Sequence, residues 1–143
     1  MWLHNKTEIK SLEDFPEDAI GFIYKITNLT NGKIYFGRKT CRGILKKKLT
    51  KKEKALPHNK RKTYKLVNTE YKGWLEYTGS SEALNADIEK GDKIKKEIVR
   101  FCSKKAQLTY YELEAIICSG AILDDKYYNG NILGKIFPNQ LMD

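Results

Sequence analysis

Residues 21–37 read GFIYKITNLTNGKIYFG, two runs of β-branched and aromatic residues on either side of Asn31-Gly32. Such runs favour strands, and Asn-Gly supplies the positive φ angles of a tight hairpin turn. With Asn31 and Gly32 as a two-residue loop, Thr30 pairs with Lys33, Asn28 with Tyr35, Ile26 with Gly37 and Tyr24 with Lys39. Side chains alternate across a strand, so Tyr24, Lys33, Tyr35 and Lys39 share one face while Arg38 points to the other with Ile23 and Phe36. Gly37 leaves room between the two phenols. A slip of one residue would scatter the set.

Outward from the hairpin the signals weaken. Residues 1–19 mix charged and turn-forming side chains and read as a surface lead-in, with a short helix near Ser11–Phe15. From Arg42 to Lys62 there are too few apolar residues to bury a face, and Pro57 interrupts, so a loop or a marginal helix is predicted. Thr78-Gly79-Ser80-Ser81 supplies a turn and an N-cap for a helix carrying Leu84 and Ile88 and closed by Gly91. Ile94–Cys102 reads as a third strand. Thr109-x-x-Glu112 resembles a capping box, opening a mostly apolar helix that runs to Gly120 and should lie centrally in the core. The tail from Tyr127 is turn-rich and ends in the apolar run ILGKIF at 132–137. This order predicts an α+β fold, a small antiparallel sheet flanked by helices, as a single domain over 20–137 with a basic insert at about 42–65.

Charge narrows the partner. The chain has 143 residues, 41% apolar and 31% charged, which suits one globular domain. Its net charge is +9, yet between Arg38 and Lys65 every charged side chain except Glu53 is Lys or Arg, so the remainder is acidic on balance. A concentrated positive segment attracts polyanions, nucleic acid first, and Lys46, Lys47, Lys48, Lys51, Lys52, Lys60, Arg61 and Lys62 are its candidate DNA-backbone contacts. A lysine-rich loop that serves solubility alone is the alternative. No apolar run approaches a membrane span, and the N-terminus has no signal-like core. Cys41, Cys102 and Cys118 form no C-x-x-C pair, which disfavours a disulfide framework or a zinc site and suits the cytoplasm. Phosphate-loop, dinucleotide-binding and H-E-x-x-H fingerprints do not occur in the sequence.

The hairpin is where chemistry can sit. A phenol is a poor base at neutral pH, but a neighbouring ammonium, Lys39 or Lys33, favours phenolate, which could take a proton from water attacking a phosphodiester. Such a reaction also wants a cation near the leaving oxygen, and hard divalent metals prefer carboxylate ligands. Glu112 is the best-placed acid, on the stripe of Leu108, Ala115 and Ile116. Its ordinary alternative is as capping partner of Thr109, and Glu114 is the second candidate.

These residues carry a resemblance. Residues 21–28 and 31–37, with the triplets Phe22-Ile23-Tyr24 and Tyr35-Phe36-Gly37, resemble the core of the GIY-YIG nuclease family. Trp74-x-x-Tyr77-x-Gly79-Ser80-Ser81, Tyr111-Glu112 and Tyr127-Tyr128-Asn129 resemble its short phage-encoded branch. The resemblance implies a three-stranded antiparallel sheet flanked by helices and a DNA endonuclease dependent on Mg²⁺ or Mn²⁺. It implies that Tyr24 and Tyr35 are the motif tyrosines, Glu112 the metal ligand and Asn129 a supporting residue. Phe22 and Phe36 replace a motif glycine and isoleucine. The family's usual helix arginine has no counterpart in Ser81–Lys90, so the catalytic cation is expected from Lys39, Arg38 or Arg42, with Lys39 as the phenol's partner. With no direct-readout module visible, sequence preference is expected to be low in the isolated chain, or to come from a homodimer or a specificity partner. The alternative function is a catalytically inactive nucleic-acid-binding protein on the same fold.

Overall fold

The computed structural model describes residues 1–59, 63–132 and 138–140. In chain order its elements are β1 (Trp2–His4), β2 (Thr7–Ile9), β3 (Gly21–Asn28), β4 (Ile34–Thr40), β5 (Arg42–Lys48), α1 (Lys51–Lys54), β6 (Tyr64–Glu70), α2 (Glu82–Glu89), β7 (Ile94–Cys102) and α3 (Lys105–Ser119). The fold is α+β. Its main sheet has five strands in the order β2-β1-β7-β3-β4, and a separate two-stranded ribbon pairs β5 with β6.

The three expected strands β3, β4 and β7 form the antiparallel part of this sheet, but the sheet has five strands, not three, and is mixed, because β1 runs parallel to β7. Asn5 and Lys6, at φ 49° and 68°, make a tight hairpin turn that folds β2 back on β1. Residues expected to be a surface lead-in thus extend the sheet. Trp2 is 0% exposed, packs edge-on against Phe22 and donates its indole N–H to the Trp74 carbonyl at 2.9 Å. The expected helix near Ser11–Phe15 is a single 3₁₀ turn, Leu12–Asp14.

The central hairpin forms two residues out of the expected register. Tyr24 faces Gly37, Ile26 faces Tyr35 and Thr27 faces Ile34. Asn28 is the cause. Its side-chain oxygen accepts the Thr30 and Asn31 N–H groups at 2.9 and 3.3 Å, so the loop comprises Leu29–Gly32, closed by Asn28 N–H to the Lys33 carbonyl at 2.8 Å. A two-residue shift preserves side-chain parity, and the two tyrosines keep one face.

That face packs Phe22, Tyr24 and Ile26 with Trp2, Trp74, Ile98 and Leu84 of α2. The other face carries α3, whose Leu108 packs on Ile23 and Cys102. Helix α3 begins four residues before Thr109 and ends, as expected, at Gly120 in the left-handed region. It covers the sheet from outside: Tyr110 and Ile117 are exposed, so it is not a wholly buried core helix. Among the described residues no helix is long and apolar enough to cross a membrane.

The basic insert, expected as a loop or a marginal helix, opens instead as a strand over Arg42–Lys48, and short helical turns follow at Lys51–Lys54 and Pro57–Asn59. β5 and β6 form an antiparallel ribbon with Arg42 opposite Glu70 and Lys48 opposite Tyr64, and α1 follows beyond it behind a Thr50–Glu53 capping box. Lysine repeated along β5 left no apolar alternation to betray a strand. Lys60, Arg61 and Lys62 lie outside the described residues, as does the apolar run from 133 to 137.

Candidate active site

Strand β4 is an edge of the main sheet, and every second backbone N–H points away from β3. Three of these amides find partners in succession. The Ile34 N–H donates to the Lys126 carbonyl at 2.9 Å, and the Phe36 N–H to the Asn129 side-chain oxygen at 3.0 Å. The Arg38 N–H donates to the Glu112 carboxylate. Asn129 also returns its amide to the Phe36 carbonyl at 2.8 Å, so its side chain acts as a short extra strand.

A cleft of about 430 Å³ opens over this edge. Tyr24, Tyr35, Tyr77, Ser80 and Ser81 reach it from the α2 face, while Phe36, Arg38, Glu112 and Ile116 reach it from the α3 face, and Tyr128 and Asn129 close the end. Opposite parity had placed Arg38 away from the phenols. It does leave β4 on the other face, and the cleft wraps the strand so that both faces contribute.

Burial pushes the Tyr24 phenol far above its ordinary value of 10, and Tyr35, Tyr77 and Glu112 add to the shift. This corrects the expectation that an ammonium tunes Tyr24 toward phenolate. Its ring is 1% exposed, lies 6.1 Å from those of Tyr35 and Tyr77 and shares a hydrogen bond with Tyr77. The Tyr35 hydroxyl bonds the Ser80 hydroxyl at 3.1 Å. Gly79, at φ +88°, packs its backbone against both phenols; a methyl there would lie 2.8 Å from the Tyr35 ring and 3.1 Å from the Tyr24 hydroxyl. A methyl on Gly37 would collide with the Tyr24 hydroxyl.

Glu112 is not a helix cap. Thr109 lies within α3, where its hydroxyl accepts the Arg38 guanidinium and approaches the Lys105 carbonyl at 3.4 Å. Burial raises the Glu112 carboxyl above its ordinary 4.5, and the Arg38 charge and backbone N–H oppose part of that rise.

The family model described as "Putative endonuclease segE, GIY-YIG domain" matches residues 2–132. The chain belongs to this GIY-YIG endonuclease family. No curated protein and no solved structure gave a significant match. Membership implies nuclease activity in general.

Within this GIY-YIG domain, Arg38 is the one Lys or Arg among the described residues lining the cleft. Lys39 instead lies over the Tyr77 ring, 4.3 Å from its centroid, one tyrosine removed from Tyr24. Lys33 sits 5.5 Å from the Tyr128 ring centroid and does not line the cleft. Arg42, expected among the candidates for the catalytic cation, is buried and structural: its guanidinium donates to the Ala19 carbonyl at 2.6 Å and to those of Pro16 and Glu17 at 2.8 Å. It fastens the ribbon's root instead. Glu114 is exposed and lies outside the cleft.

Several contributors were not singled out from the sequence. The sequence marks Thr109 as a cap and gives Tyr77 and Ser80 no role of their own. Tyr128 is held at the cleft's end by Asp87, to which its hydroxyl donates at 2.6 Å, and by the Asn28 amide at 3.0 Å. A turn sequence gives no sign of such a network.

Of the described side chains lining the cleft, Glu112 is the one that could hold a hard divalent ion. Among the described residues no three His, Cys, Asp or Glu side chains gather as a metal cage. Glu112 is, among the described residues, the single carboxylate lining the cleft, which Tyr35 and Ser80 also line. Mg²⁺ commonly takes one or two carboxylates and completes its shell with water and substrate phosphate.

Proposed function

We propose that the chain is a divalent-metal-dependent DNA endonuclease that hydrolyses phosphodiester bonds. The supporting observation is the meeting of Tyr24, Tyr35, Arg38 and Glu112 in one cleft across the edge strand β4.

In this reading Glu112 holds Mg²⁺ or Mn²⁺ through the oxygen lone pairs left after it accepts the Arg38 N–H. The bound ion would supply positive charge beside the phosphate and its leaving oxygen. The Arg38 guanidinium, steadied by Thr109, neutralises charge developing on the phosphoryl oxygens. Tyr35, braced by Ser80, aims its hydroxyl at the phosphate or the attacking water. Tyr24 stays protonated and accepts a hydrogen bond from that water, orienting it; the proton the water loses passes to solvent in the open cleft, and the leaving oxygen takes one up from solvent. Asn129 keeps β4 in place through Phe36. Lys39, Lys33 and Arg42 take no part in the chemistry. The lysines of the ribbon hold the DNA backbone, and a homodimer or partner supplies sequence preference. Three unpaired thiols fit a reducing cytoplasm, that of a host cell for a phage-encoded chain.

Supercoiled plasmid tests this. Wild type with Mg²⁺ should nick it, and chelator, Glu112→Ala and Tyr24→Phe should each suppress nicking. Wild type that shifts the plasmid on a gel yet never nicks it would overturn the reading in favour of an inactive binder.

A further inference from the structure

The ribbon β5–β6 pairs with no strand of the main sheet, and isolated two-stranded ribbons are marginal in water. This one is rooted firmly. Cys41 alone separates it from β4; the Cys41 carbonyl accepts the Tyr71 N–H at 2.8 Å, and Arg42 binds three carbonyls behind it. Its outer half is open to solvent, with Leu45, Tyr64 and Leu66 exposed by 56%, 45% and 57%.

Register decides how its charge is displayed. Lys46 opposite Leu66 and Lys48 opposite Tyr64 lie on one face, and Lys47 opposite Lys65 lies on the other. Lys65 is relieved by Glu53 at 2.7 Å. Positive charge is therefore carried on both faces of a narrow blade, and exposed Lys51, Lys52 and Lys54 continue it at the tip. A blade charged on both sides suits a slot walled by phosphate on both sides.

We propose that the ribbon lies in the major groove of double-stranded DNA, its lysines reaching the phosphate backbones on either wall. The idea rests on the nuclease reading only for where the cut falls. The B-DNA major groove, about 12 Å wide, admits a two-stranded ribbon, whereas the minor groove of about 6 Å does not. Seven residues per strand span roughly 24 Å, enough to follow the groove over much of a turn. Single strands are a poor match, because binding them relies on aromatic platforms. Tyr64 is the one aromatic residue of β5 and β6, and the Lys46 ammonium already covers its ring at 4.6 Å. Duplex RNA has a major groove too narrow to enter. Since one residue joins the ribbon to the strand bearing Tyr35 and Arg38, its grip fixes the scissile phosphate at a constant offset along the duplex.

The test separates binding from cleavage. Full-length Glu112→Gln protein is titrated by fluorescence anisotropy onto a duplex about three helical turns long, with chelator present. Methyl green, a major-groove ligand, should displace the protein, and netropsin, a minor-groove ligand, should not. Lys46→Gln, Lys47→Gln and Lys48→Gln together should leave the melting temperature unchanged and weaken duplex binding. They should also reduce the slope of log K against log salt by about 3, one contact each. Displacement by netropsin but not methyl green, an unchanged salt slope, or equal affinity for single-stranded DNA or duplex RNA would overturn the proposal. Wild-type protein that binds in this way without nicking would sink the nuclease reading and leave the groove proposal standing.

Discussion

The Glu112 carboxylate accepts the backbone N–H of Arg38, and Thr109, nearly one turn earlier on the same helix, accepts the guanidinium of that same arginine. One residue of the edge strand is thereby fixed to α3 at both ends. Glu112→Gln keeps an oxygen for the Arg38 N–H and loses the charge. It should melt within about 1 kcal/mol of wild type, because a neutral acceptor still satisfies the amide. Plasmid nicking should fall by about 10²-fold or more, the scale of a lost metal ligand. Glu112→Ala should lose both activity and stability. Thermal melts beside a nicking time course separate the two effects, and full activity in Glu112→Gln would remove the carboxylate from the mechanism.

The raised Glu112 carboxyl sets two opposed pH dependences. Its protonated form suits the buried site, so its share of stability is complete below the ordinary value of 4.5 and is lost as pH rises through the raised folded value. Metal binding needs the carboxylate, so nicking should instead rise with pH over that same window. In chelator, the wild-type melting temperature minus that of Glu112→Gln should decline across it. Asp87 and Glu53, whose carboxyls are held low by hydrogen bonds, contribute slopes of the other sign that cancel in the difference.

How much of this could be read from the sequence varied with locality. The hairpin, both tyrosines on one face, α2 and the end of α3 follow from patterns within ten residues of themselves, and all appear in the structure. Register failed by two residues because the Asn28 side chain, not the Asn-Gly pair alone, shapes the loop. β1 and β2 are three residues each, too short for alternation to register, and Trp2 is buried by Phe22 and Tyr24, about twenty positions away, and by Trp74. The roles of Thr109, Asn129 and Arg42 depend on carbonyls, amides and charges brought from distant segments. Parity along β4 described Arg38 correctly, yet it could not show that a cleft wraps the edge and reunites opposite faces.

Gly37 sits beneath Tyr24, and a methyl added there would meet the hydroxyl and the ring carbon bearing it. Gly37→Ala should cost about 1–3 kcal/mol of stability, the range for overpacking a filled site. It should also lower nicking, because the phenol must turn away from the cleft. Melting and nicking of the single variant check this. A variant as stable and active as wild type would mean that the Tyr24 ring has freedom the structure does not show.

Three cations near the hairpin should give three different outcomes. Arg38→Ala removes the guanidinium in the cleft and should lower the turnover rate by about 10²–10³-fold, with a modest change in melting. Lys39→Ala uncovers Tyr77 and should change turnover by less than about 10-fold, the scale of one exposed cation–π contact. Arg42→Ala abandons the carbonyls of Pro16, Glu17 and Ala19 and should destabilise by about 2–4 kcal/mol, with activity recovered when assays are run well below its melting temperature. Measuring turnover and melting on all three tells them apart. Loss of turnover in Lys39→Ala with retention in Arg38→Ala would reverse the assignment.

Asn129→Asp should turn a structural asparagine into a pH sensor. The native side chain accepts from the Phe36 N–H and donates to the Phe36 carbonyl, and both bonds are nearly buried. Aspartate keeps the acceptor but sets a charged oxygen against that carbonyl, which disfavours the ionised form and raises its folded pKa. The stability it retains should then be greatest at low pH, where the protonated carboxyl can still donate, and should be lost as pH rises through the raised value. Wild type, with no titrating group at this position, lacks that loss. At neutral pH the variant should melt below wild type by an amount equivalent to about 1–3 kcal/mol and should nick poorly, since β4 carries Tyr35 and Arg38. Melting curves of both proteins from acid to neutral pH decide it: a gap that narrows on acidification supports the two-bond arrangement at Phe36, and a gap that is constant or widens contradicts it.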